Sequence, residues 1–333
     1  MIPKVKSLDY TEKTIDCIVI GDVFMDVIVG RNEGYNNFSR GGTSYCDFSK
    51  VVLGGSGNVA LGVSSLSGRV AFIGKAGKDY FGDLYEQDLR NNGIISKMFQ
   101  EKDLQTGLIV ALVERGIERS FLVSRGANDH LSIDDIEESA DIIKRSKFLY
   151  CTGYSLVNDP QKSAIWRAIE IAEEFKTKIV FDPGAHNLVK SRNKLFKKVL
   201  KACNIFSANL SETQAITKTD HLEDAISKLK NRFELAAIRC GEAGCILINE
   251  KKVVRVPSFK VNCIDPTGAG DAFTAALIYG LINKLTLESI GKLSNWFAGN
   301  IVASIGSRSY PSNHKITQFL SEIKRSDHKL ELA

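Results

Sequence analysis

Short apolar runs alternate with amphipathic helical patterns along most of the chain. Each run stops at a polar residue or a glycine, as a buried strand does at the carboxyl edge of a parallel sheet. Helical spacing is clearest in residues 132–145 and 161–175. This alternation predicts a three-layer α/β fold, with a mostly parallel sheet and helices on both of its faces. The apolar runs occupy residues 17–22, 70–74, 147–153, 178–184, 205–209 and 235–241.

Two segments do not follow this alternation and predict a second, smaller sheet. Residues 27–53 and 98–125 contain glycine turns and period-two alternation of apolar residues without an intervening helix. No Pro- or Ser-rich linker and no internal repeat separates them from the rest of the chain. We therefore expect residues 1–333 to form one α/β domain that carries a small antiparallel β-sheet lid.

The charge balance bears on partners and location. The chain has 44 Lys and Arg against 39 Asp and Glu, and the basic residues are scattered rather than clustered. This balance predicts neither a nucleic acid nor a membrane surface as partner. The first twenty residues contain acids and lysines where a secretory signal needs an apolar segment, so a cytoplasmic location is expected. The seven cysteines have no zinc-binding spacing and are expected to be reduced thiols.

The stretch DPTGAGD, residues 265–271, directly precedes an apolar helical run. A helix that begins there directs its unpaired N–H groups and the positive end of its dipole at the turn, where glycines let an anion approach the backbone. The stretch therefore indicates a phosphate or oxyanion site. The dipole favours the ionised form of Asp271, which could then accept a proton. On these residues alone, a favourable first-turn charge and a glycine-shaped turn explain the stretch equally well.

A second glycine cluster spans residues 54–60, GGSGNVA. Its last six residues fit GxGxxA, the pattern of a dinucleotide-binding oxidoreductase. That site also needs an acid at the end of the next strand, whereas residues 70–75 end in Gly74 and Lys75. A P-loop pattern is missing from the sequence as well. The cluster alone thus gives only a weak argument for an oxidoreductase.

Taken together, the two glycine stretches identify a family. Residues 54–82, GGSGNVALGVSSLSGRVAFIGKAGKDYFG, and residues 265–273, DPTGAGDAF, resemble the two signatures of the ribokinase-like (PfkB) carbohydrate kinases. Further landmarks of that family follow in the expected order, and the resemblance covers nearly the whole chain. The landmarks are GDVFMD at 21–26, CTGY at 151–154, NLSE at 209–212 and GEAG at 241–244.

The resemblance implies an ATP-dependent kinase with a ribokinase-like fold that phosphorylates a hydroxyl group of a small sugar. It makes Asp271 the general base and the backbone of Gly268, Ala269 and Gly270 the anion hole. It implies ATP as phosphoryl donor, Mg²⁺ near Glu212 through water, and K⁺ near Asp265 and Thr267. The acceptor-binding residues that it implies are Asp26, Gly54, Gly55 and Asn58. Those on the ATP side are Asn209, Glu212, Arg239, Gly241, Gly244 and Asn300.

Two departures from the family pattern leave the acceptor open. The segment Gly54 to Asn58 is one residue shorter than the GGxxxN of many sugar-specific members, and residues 182–186, DPGAH, lack the arginine that often follows DPN. A nucleoside kinase is one alternative, and a sugar-phosphate kinase is another. A sugar-binding regulator without catalysis is a third, although Asp271 and Glu212 are both present. The resemblance also implies a homodimer formed through the lid.

The two kinase alternatives rest on side chains of the predicted lid. A nucleoside base could pack on apolar residues, and a sugar phosphate could be held by arginines that alternate with apolar residues on one strand. The apolar residues are Phe99, Leu108, Val110 and Phe121, and the arginines are Arg119 and Arg125. Such residues also serve simply as packing or edge protection in small sheets.

Overall fold

A computed structural model describes residues 12–31, 41–114, 120–184 and 194–331. Within these ranges the strands are β1 (Ile15–Ile20), β2 (Val23–Arg31), β3 (Phe48–Gly55), β4 (Val70–Gly77), β5 (Ile95–Glu101), β6 (Gly107–Glu114), β7 (Ser120–Ser124), β8 (Ser146–Thr152), β9 (Lys178–Asp182), β10 (Ile205–Asn209), β11 (Leu235–Arg239), β12 (Cys245–Ile248) and β13 (Val253–Val256). The α-helices are α1 (Gly57–Ser65), α2 (Tyr80–Asn91), α3 (Ile133–Glu138), α4 (Ala140–Lys144), α5 (Gln161–Glu174), α6 (Lys194–Ala202), α7 (Leu210–Thr217), α8 (Leu222–Leu229), α9 (Ala269–Ile282), α10 (Leu287–Val302) and α11 (Asn313–Glu331).

The large sheet has nine strands in the described part of the chain, in the order β13-β12-β11-β10-β9-β8-β1-β4-β5. Seven consecutive strands, from β11 to β5, run parallel, and β12 and β13 pair antiparallel at one end. The six apolar runs of the sequence form β1, β4, β8, β9, β10 and β11. The prediction of a mostly parallel α/β sheet is therefore confirmed.

Both faces of this sheet are buried. Along β1, Cys17 and Val19 pack into the core beneath α1, α9 and α10, whereas Ile18 and Ile20 pack into the core beneath α4 and α5. Successive side chains of a strand point to opposite faces, so continuous apolar runs are what a sheet covered on both sides requires. None of the described helices combines the length and the apolarity needed to cross a bilayer.

The second sheet is smaller, with the order β3-β2-β6-β7. It was predicted to be antiparallel, but β2 and β6 run parallel, so the sheet is mixed. Residues 98–101 were predicted to belong to it; they lie instead on β5, which pairs with β4 at the edge of the large sheet. Alternation shows that a segment is a strand without showing which sheet it joins. The predicted lid ranges also include residues 32–40 and 115–119, which lie outside the described residues.

The small sheet stands on the carboxyl edge of the large one. Only Gly21 and Asp22 separate β1 from β2, so the chain passes directly from one sheet to the other. A second connection comes from β3: Lys50 donates a hydrogen bond to the carbonyl of Ile305, 2.5 Å away, in the segment after α10. Asp26 lies on the same face of the small sheet as Lys50, because Asp26 pairs with Val52. This inner face therefore looks toward the ends of the parallel strands.

Candidate active site

A cavity of about 160 Å³ lies at the carboxyl edge of the large sheet. Strands β8, β9 and β11 and the start of α9 contribute to its wall. The cavity brings together Asp271, Gly268, Gly270, Glu212 and Arg239, which the sequence had placed in one site. Its lining residues are Tyr150, Thr152, Tyr154, Asp182, Gly184, Glu212, Arg239, Gly268, Gly270 and Asp271.

The N-terminus of α9 is left without a side-chain cap. Gly268, the residue before the helix, has a φ of +80°, and a Cβ at this position would lie 2.5 Å from the Cβ of Ser307. Both the left-handed conformation and the close approach require glycine. Helix α10, by contrast, is capped by the hydroxyl of Thr286. The N–H group of Ala269 donates to the carbonyl of Pro266 over 3.2 Å. Since Gly268, Gly270 and Asp271 line the cavity, the remaining first-turn N–H groups of α9 are available to an anion there.

Asp271 lies in the first turn of α9 and is bonded to the first turn of α1. The Nδ2 of Asn58 donates a hydrogen bond to Oδ2 of Asp271 over 3.0 Å. Burial raises the pKa of Asp271 to about 6, against the hydrogen bond from Asn58 and the charges of Arg239 and Arg308, which lower it. At neutral pH the carboxylate is therefore largely ionised and close to the range in which a general base works well.

Arg239, at the end of β11, is the cation of this cavity. Its Nη1 donates to Oδ2 of Asp182 over 2.6 Å, and its Nη2 lies 3.4 Å from Oε2 of Glu212. Burial alone would lower the pKa of Arg239, but the charges of Asp182 and Glu212 raise it above its usual value. The guanidinium also lies close to Gly270, since a Cβ there would be 3.4 Å from Cζ of Arg239. A permanent positive charge thus stands beside the uncapped helix start.

Asn209 and Glu212 hold each other at the start of α7. Oδ1 of Asn209 accepts from the N–H of Glu212 over 2.8 Å, and Oε2 of Glu212 accepts from the N–H of Asn209 over 2.9 Å, which is a capping box. Burial and the charge of Asp182 raise the pKa of the buried Glu212 to about 7, and Arg239 opposes that rise. This pair is therefore rigid and its carboxylate faces the cavity.

The cavity is surrounded by more negative than positive charge. Three carboxyl groups, those of Asp182, Glu212 and Asp271, and one guanidinium line it. Such a wall suits a divalent cation. In the described part of the chain, however, no three His, Cys, Asp or Glu side chains converge tightly enough to hold a metal by themselves. An ion here would complete its coordination with water and phosphate oxygens, as Mg²⁺ usually does.

The predicted acceptor residues gather next to this cavity. A Cβ at Gly54 would lie 2.1 Å from Oδ2 of Asp26, so the strand carrying Gly54 and Gly55 packs directly on the aspartate. Burial raises the pKa of Asp26 to about 7; Arg308 lowers it and Asp271 raises it further. Oδ1 of Asp26 is buried and has no hydrogen-bond partner among the described residues. A buried polar atom of this kind calls for a donor such as a hydroxyl group.

The other predicted residues lie outside the cavity lining. Gly241 and Gly244, with φ of +57° and +94°, shape the turn after β11, and Asn300 of α10 donates its amide to the carbonyl of Trp296. Asp265 is buried and accepts from the backbone N–H of Thr267 over 2.7 Å and of Gly306 over 2.8 Å. It thereby joins the glycine turn to the segment that follows α10.

The sequence analysis did not identify some residues of the site. Arg308 donates to Asn58, and the hydroxyl of Tyr85 donates to the carbonyl of Gly54 over 2.7 Å. No local pattern marks them, because Arg308 is 250 positions from Asn58. Arg125, a predicted phosphate ligand, instead forms an ion pair with Asp22 over 2.9 Å. Arg119 lies outside the described residues.

Comparison with known proteins identifies the family and the fold of the chain. The sequence model of the pfkB family of carbohydrate kinases matches residues 14–314 of this chain. Fructokinase-1 of Oryza sativa is 31% identical over 242 residues, 71% of this chain and 75% of that protein. Adenosine kinase from Sinorhizobium meliloti has a TM-score of 0.82 at 26% identity, covering 91% of this chain and 98% of that one.

A ribokinase from Thermotoga maritima has the same fold, with a TM-score of 0.76 at 22% identity, covering 92% of this chain and 99% of that one. The large sheet covered by helices, with the small sheet at its carboxyl edge, is therefore a ribokinase-like fold. With 301 residues from 14 to 314 inside the family model, the chain belongs to the pfkB family of carbohydrate kinases, phosphotransferases that act on an alcohol group.

Proposed function

We propose that the protein transfers the γ-phosphoryl group of ATP to a hydroxyl group of a small sugar, as ribokinases and fructokinases do. The observation that carries this proposal is the pairing of Asp271, ionised at neutral pH, with the uncapped start of α9 in one cavity. A base and an anion site side by side are what phosphoryl transfer to an alcohol needs.

In this mechanism the acceptor hydroxyl donates a hydrogen bond to Asp271, and its oxygen attacks the γ-phosphorus. The new bond joins the acceptor oxygen to phosphorus, and the bond from phosphorus to the β,γ-bridging oxygen breaks. The proton passes to Asp271 and ADP leaves. We assign the stabilisation of the negative charge on the transferring group to the backbone of Gly268, Ala269 and Gly270, with Arg239 beside it. Positioning and charge stabilisation matter more here than a strong base.

Glu212 and Asp182 are the residues that would hold Mg²⁺, directly or through water. The excess of carboxylates around the cavity supports this assignment. When bound, the ion would neutralise part of the phosphate charge. We assign Asn209, Gly241, Gly244 and Asn300 to the ATP side on the family resemblance, and K⁺ near Asp265 and Thr267 on the same ground.

The small sheet is proposed to act as a lid over the acceptor, with Asp26 on its inner face as a hydroxyl-binding group. Closing such a lid would exclude water and so limit hydrolysis of ATP. The outer face of this sheet is apolar: Val51 and Leu122 are 58% and 64% exposed. We propose that this face forms a homodimer interface, because exposed apolar surface of this kind favours burial.

A nucleoside acceptor is the second candidate, since the adenosine kinase named above is 26% identical over 91% of this chain. The apolar set predicted for a base does not form one surface, however. Phe99 lies on β5 of the large sheet. Pairing puts Leu108 and Val110 on the outer face of the small sheet, with Leu122, and puts Phe121 on the inner face with Asp26. At most Phe121 could meet a base bound beside Asp26.

A substrate panel tests the proposal. Purified protein is incubated with Mg-ATP and, in turn, fructose, ribose, fructose 6-phosphate and adenosine, and ADP release is followed. We expect turnover with one of the free sugars. Turnover with adenosine alone would favour the second candidate. If no member of a wider panel of sugars, sugar phosphates and nucleosides is phosphorylated and ATP does not bind, the proposal is lost.

A further inference from the structure

A chain of hydrogen bonds runs from the surface of α2 to the candidate base. Oδ2 of Asp88 accepts from Nη1 of Arg308 over 2.5 Å, Nε of Arg308 donates to Oδ1 of Asn58 over 2.9 Å, and Nδ2 of Asn58 donates to Oδ2 of Asp271 over 3.0 Å. These four residues, called here the Arg308 relay, come from α2, the segment after α10, α1 and α9. Tyr310, from the same segment as Arg308, also bonds to Asn58, but it donates to the backbone carbonyl, over 2.7 Å.

Arg308 is well held in its place. Its side chain is 15% exposed, and its guanidinium lies over the ring of Tyr85, with 5.3 Å from Cζ to the ring centroid. Tyr85 itself is fully buried and bonded to the Gly54 carbonyl. The arginine is therefore fixed by an ion pair, a hydrogen bond and an aromatic face at once. Nη2 of Arg308 is buried without a hydrogen-bond partner among the described residues, and the other two nitrogens hold the side chain in place.

The direction of each donor makes this arrangement specific. A side-chain amide can face Asp271 with its N–H group or with its oxygen, and only the N–H group attracts a carboxylate. Arginine has donors and no acceptor. When Nε of Arg308 donates to Asn58, it takes the oxygen of that amide, and Nδ2 is left to face Asp271. Arg308 thereby determines which end of Asn58 the base meets.

We propose that Arg308 is a positioning residue for the phosphoryl transfer, acting through the amide of Asn58 to orient and stabilise the carboxylate of Asp271. The proposal rests on the proposed function, in which Asp271 is the base. Neither Arg308 nor Asp88 belongs to the residues that the family resemblance assigns. Their role follows from the contacts of this chain alone.

Charge acts in the same direction as geometry. The positive charge of Arg308 lowers the pKa of Asp271 and that of Asp26. Removing it should therefore raise the pKa of Asp271 and move the acidic limb of the activity profile to higher pH, because the ionised base is then lost earlier as pH falls. The titratable and charged groups that face Asp271 are Asp26, Tyr150, Tyr154, Asp182, Arg239, Arg308 and Tyr310.

Three variants separate these effects. Arg308→Gln removes the charge, and Arg308→Lys keeps the charge but cannot donate to Asn58 and Asp88 in the same geometry. Asp88→Asn weakens the anchor of Arg308 from a partly exposed position, so the fold is kept. Arg90→Gln is the matched control: it lies on the same helix, in an exposed pair with Glu86. Melting temperatures confirm that each variant is folded.

We expect Arg308→Gln to lower kcat by about 10- to 100-fold, the scale of a displaced catalytic group, with a smaller change in KM and an acidic limb at higher pH. Arg308→Lys should also lower kcat, but the acidic limb should move less. Asp88→Asn should lower kcat less than either Arg308 variant does. Arg90→Gln should have the kcat and the pH profile of the unchanged protein. Unchanged kcat in both Arg308→Gln and Asp88→Asn would overturn the proposal. So would a loss confined to the KM of the acceptor, which would instead mean direct acceptor binding.

A second measurement needs no substrate. The titration of the Asp271 carboxyl carbon, followed by NMR in the free protein, should move to higher pH in Arg308→Gln and stay in place in Arg90→Gln. An unmoved titration refutes the relay even if the enzyme is active. Conversely, if the unchanged protein phosphorylates nothing while the titration moves as expected, the proposed function fails and the relay stands.

Discussion

Replacing Arg239 with methionine removes the cation at the centre of the site. The side chain of Arg239 is 14% exposed, and its partners Asp182 and Glu212 are 10% and 6% exposed. Methionine fills much of the same volume but leaves two buried carboxyl groups without their counter-charge. Removing one partner of a buried ion pair costs about 3–5 kcal/mol. A loss of this size lowers the melting temperature of a chain of this length on the order of 10 °C.

The free energy of unfolding is measured by urea titration at pH 8, with Arg255→Met as control. Arg255 forms an exposed pair with Glu223, the two side chains being 54% and 74% exposed, and such pairs contribute about 0–1 kcal/mol. We expect Arg239→Met to lose several times more stability than Arg255→Met. Equal losses in the two variants would mean that the pairs of Arg239 are screened by solvent, and the description of a buried charged cavity would be wrong.

The difference in stability between Arg239→Met and the unchanged protein should also depend on pH. The pKa of Glu212 is raised to about 7 in the folded protein, above its value in the unfolded chain, and Arg239 opposes that rise. Stability that comes from such an acid is present at low pH and is lost as pH rises through the folded pKa. Without Arg239 the loss of stability with rising pH is larger, because the ionised Glu212 then has no counter-charge from the arginine. A protonated Glu212, by contrast, is stabilised little by Arg239. The gap between Arg239→Met and the unchanged protein should therefore shrink from pH 8 to pH 6.

Three further predictions concern activity and assembly. Asp271→Asn should keep ATP binding, measured by calorimetry, and lower turnover at least ~100-fold, the scale of a lost general base; near-normal turnover would remove Asp271 from that role. Replacing Na⁺ by K⁺ at constant ionic strength should raise kcat if a monovalent cation binds near Asp265 and Thr267, and equal rates in both salts would argue against that site. Sedimentation should show a dimer that Leu122→Glu converts to a monomer, because a charge would be buried in the proposed interface; a monomer before substitution contradicts the interface.

Much of the large sheet could be predicted because its strands are buried on both faces. Continuous apolar runs such as residues 70–73 and 235–238 identify a strand without knowledge of its neighbours. The small sheet was harder, since Phe99 and Phe121 both lie in the segment predicted to form it and yet belong to different sheets. Strand pairing depends on contacts distant in sequence, and period-two alternation carries no information about them.

The residues of the site also differ in how well they can be predicted from the sequence. Glycines and acids that shape a turn, such as Gly268 and Asp271, are visible because local conformation and helix capping dictate them. Contacts between residues distant in sequence are not visible. Asn58 was a candidate from the family resemblance, but its contact with Asp271 spans 213 positions, and the contact of Arg308 with Asn58 spans 250. Their contacts arise only when α1, α9 and the segment after α10 pack together. The sequence thus contains the reacting groups more clearly than the groups that orient them.

The electrostatics of the cavity favour one kind of ligand over others. The uncapped start of α9 and Arg239 attract an anion, while Asp182, Glu212 and Asp271 together exceed that positive charge and attract a cation. A free sugar carries neither an anionic nor a cationic group, and a dinucleotide has anionic phosphates but no cation. A nucleoside triphosphate with its magnesium presents both charges in one ligand, a few ångströms apart. Stabilisation by Mg-ATP should accordingly exceed that by ATP with a chelator or by Mg²⁺ alone.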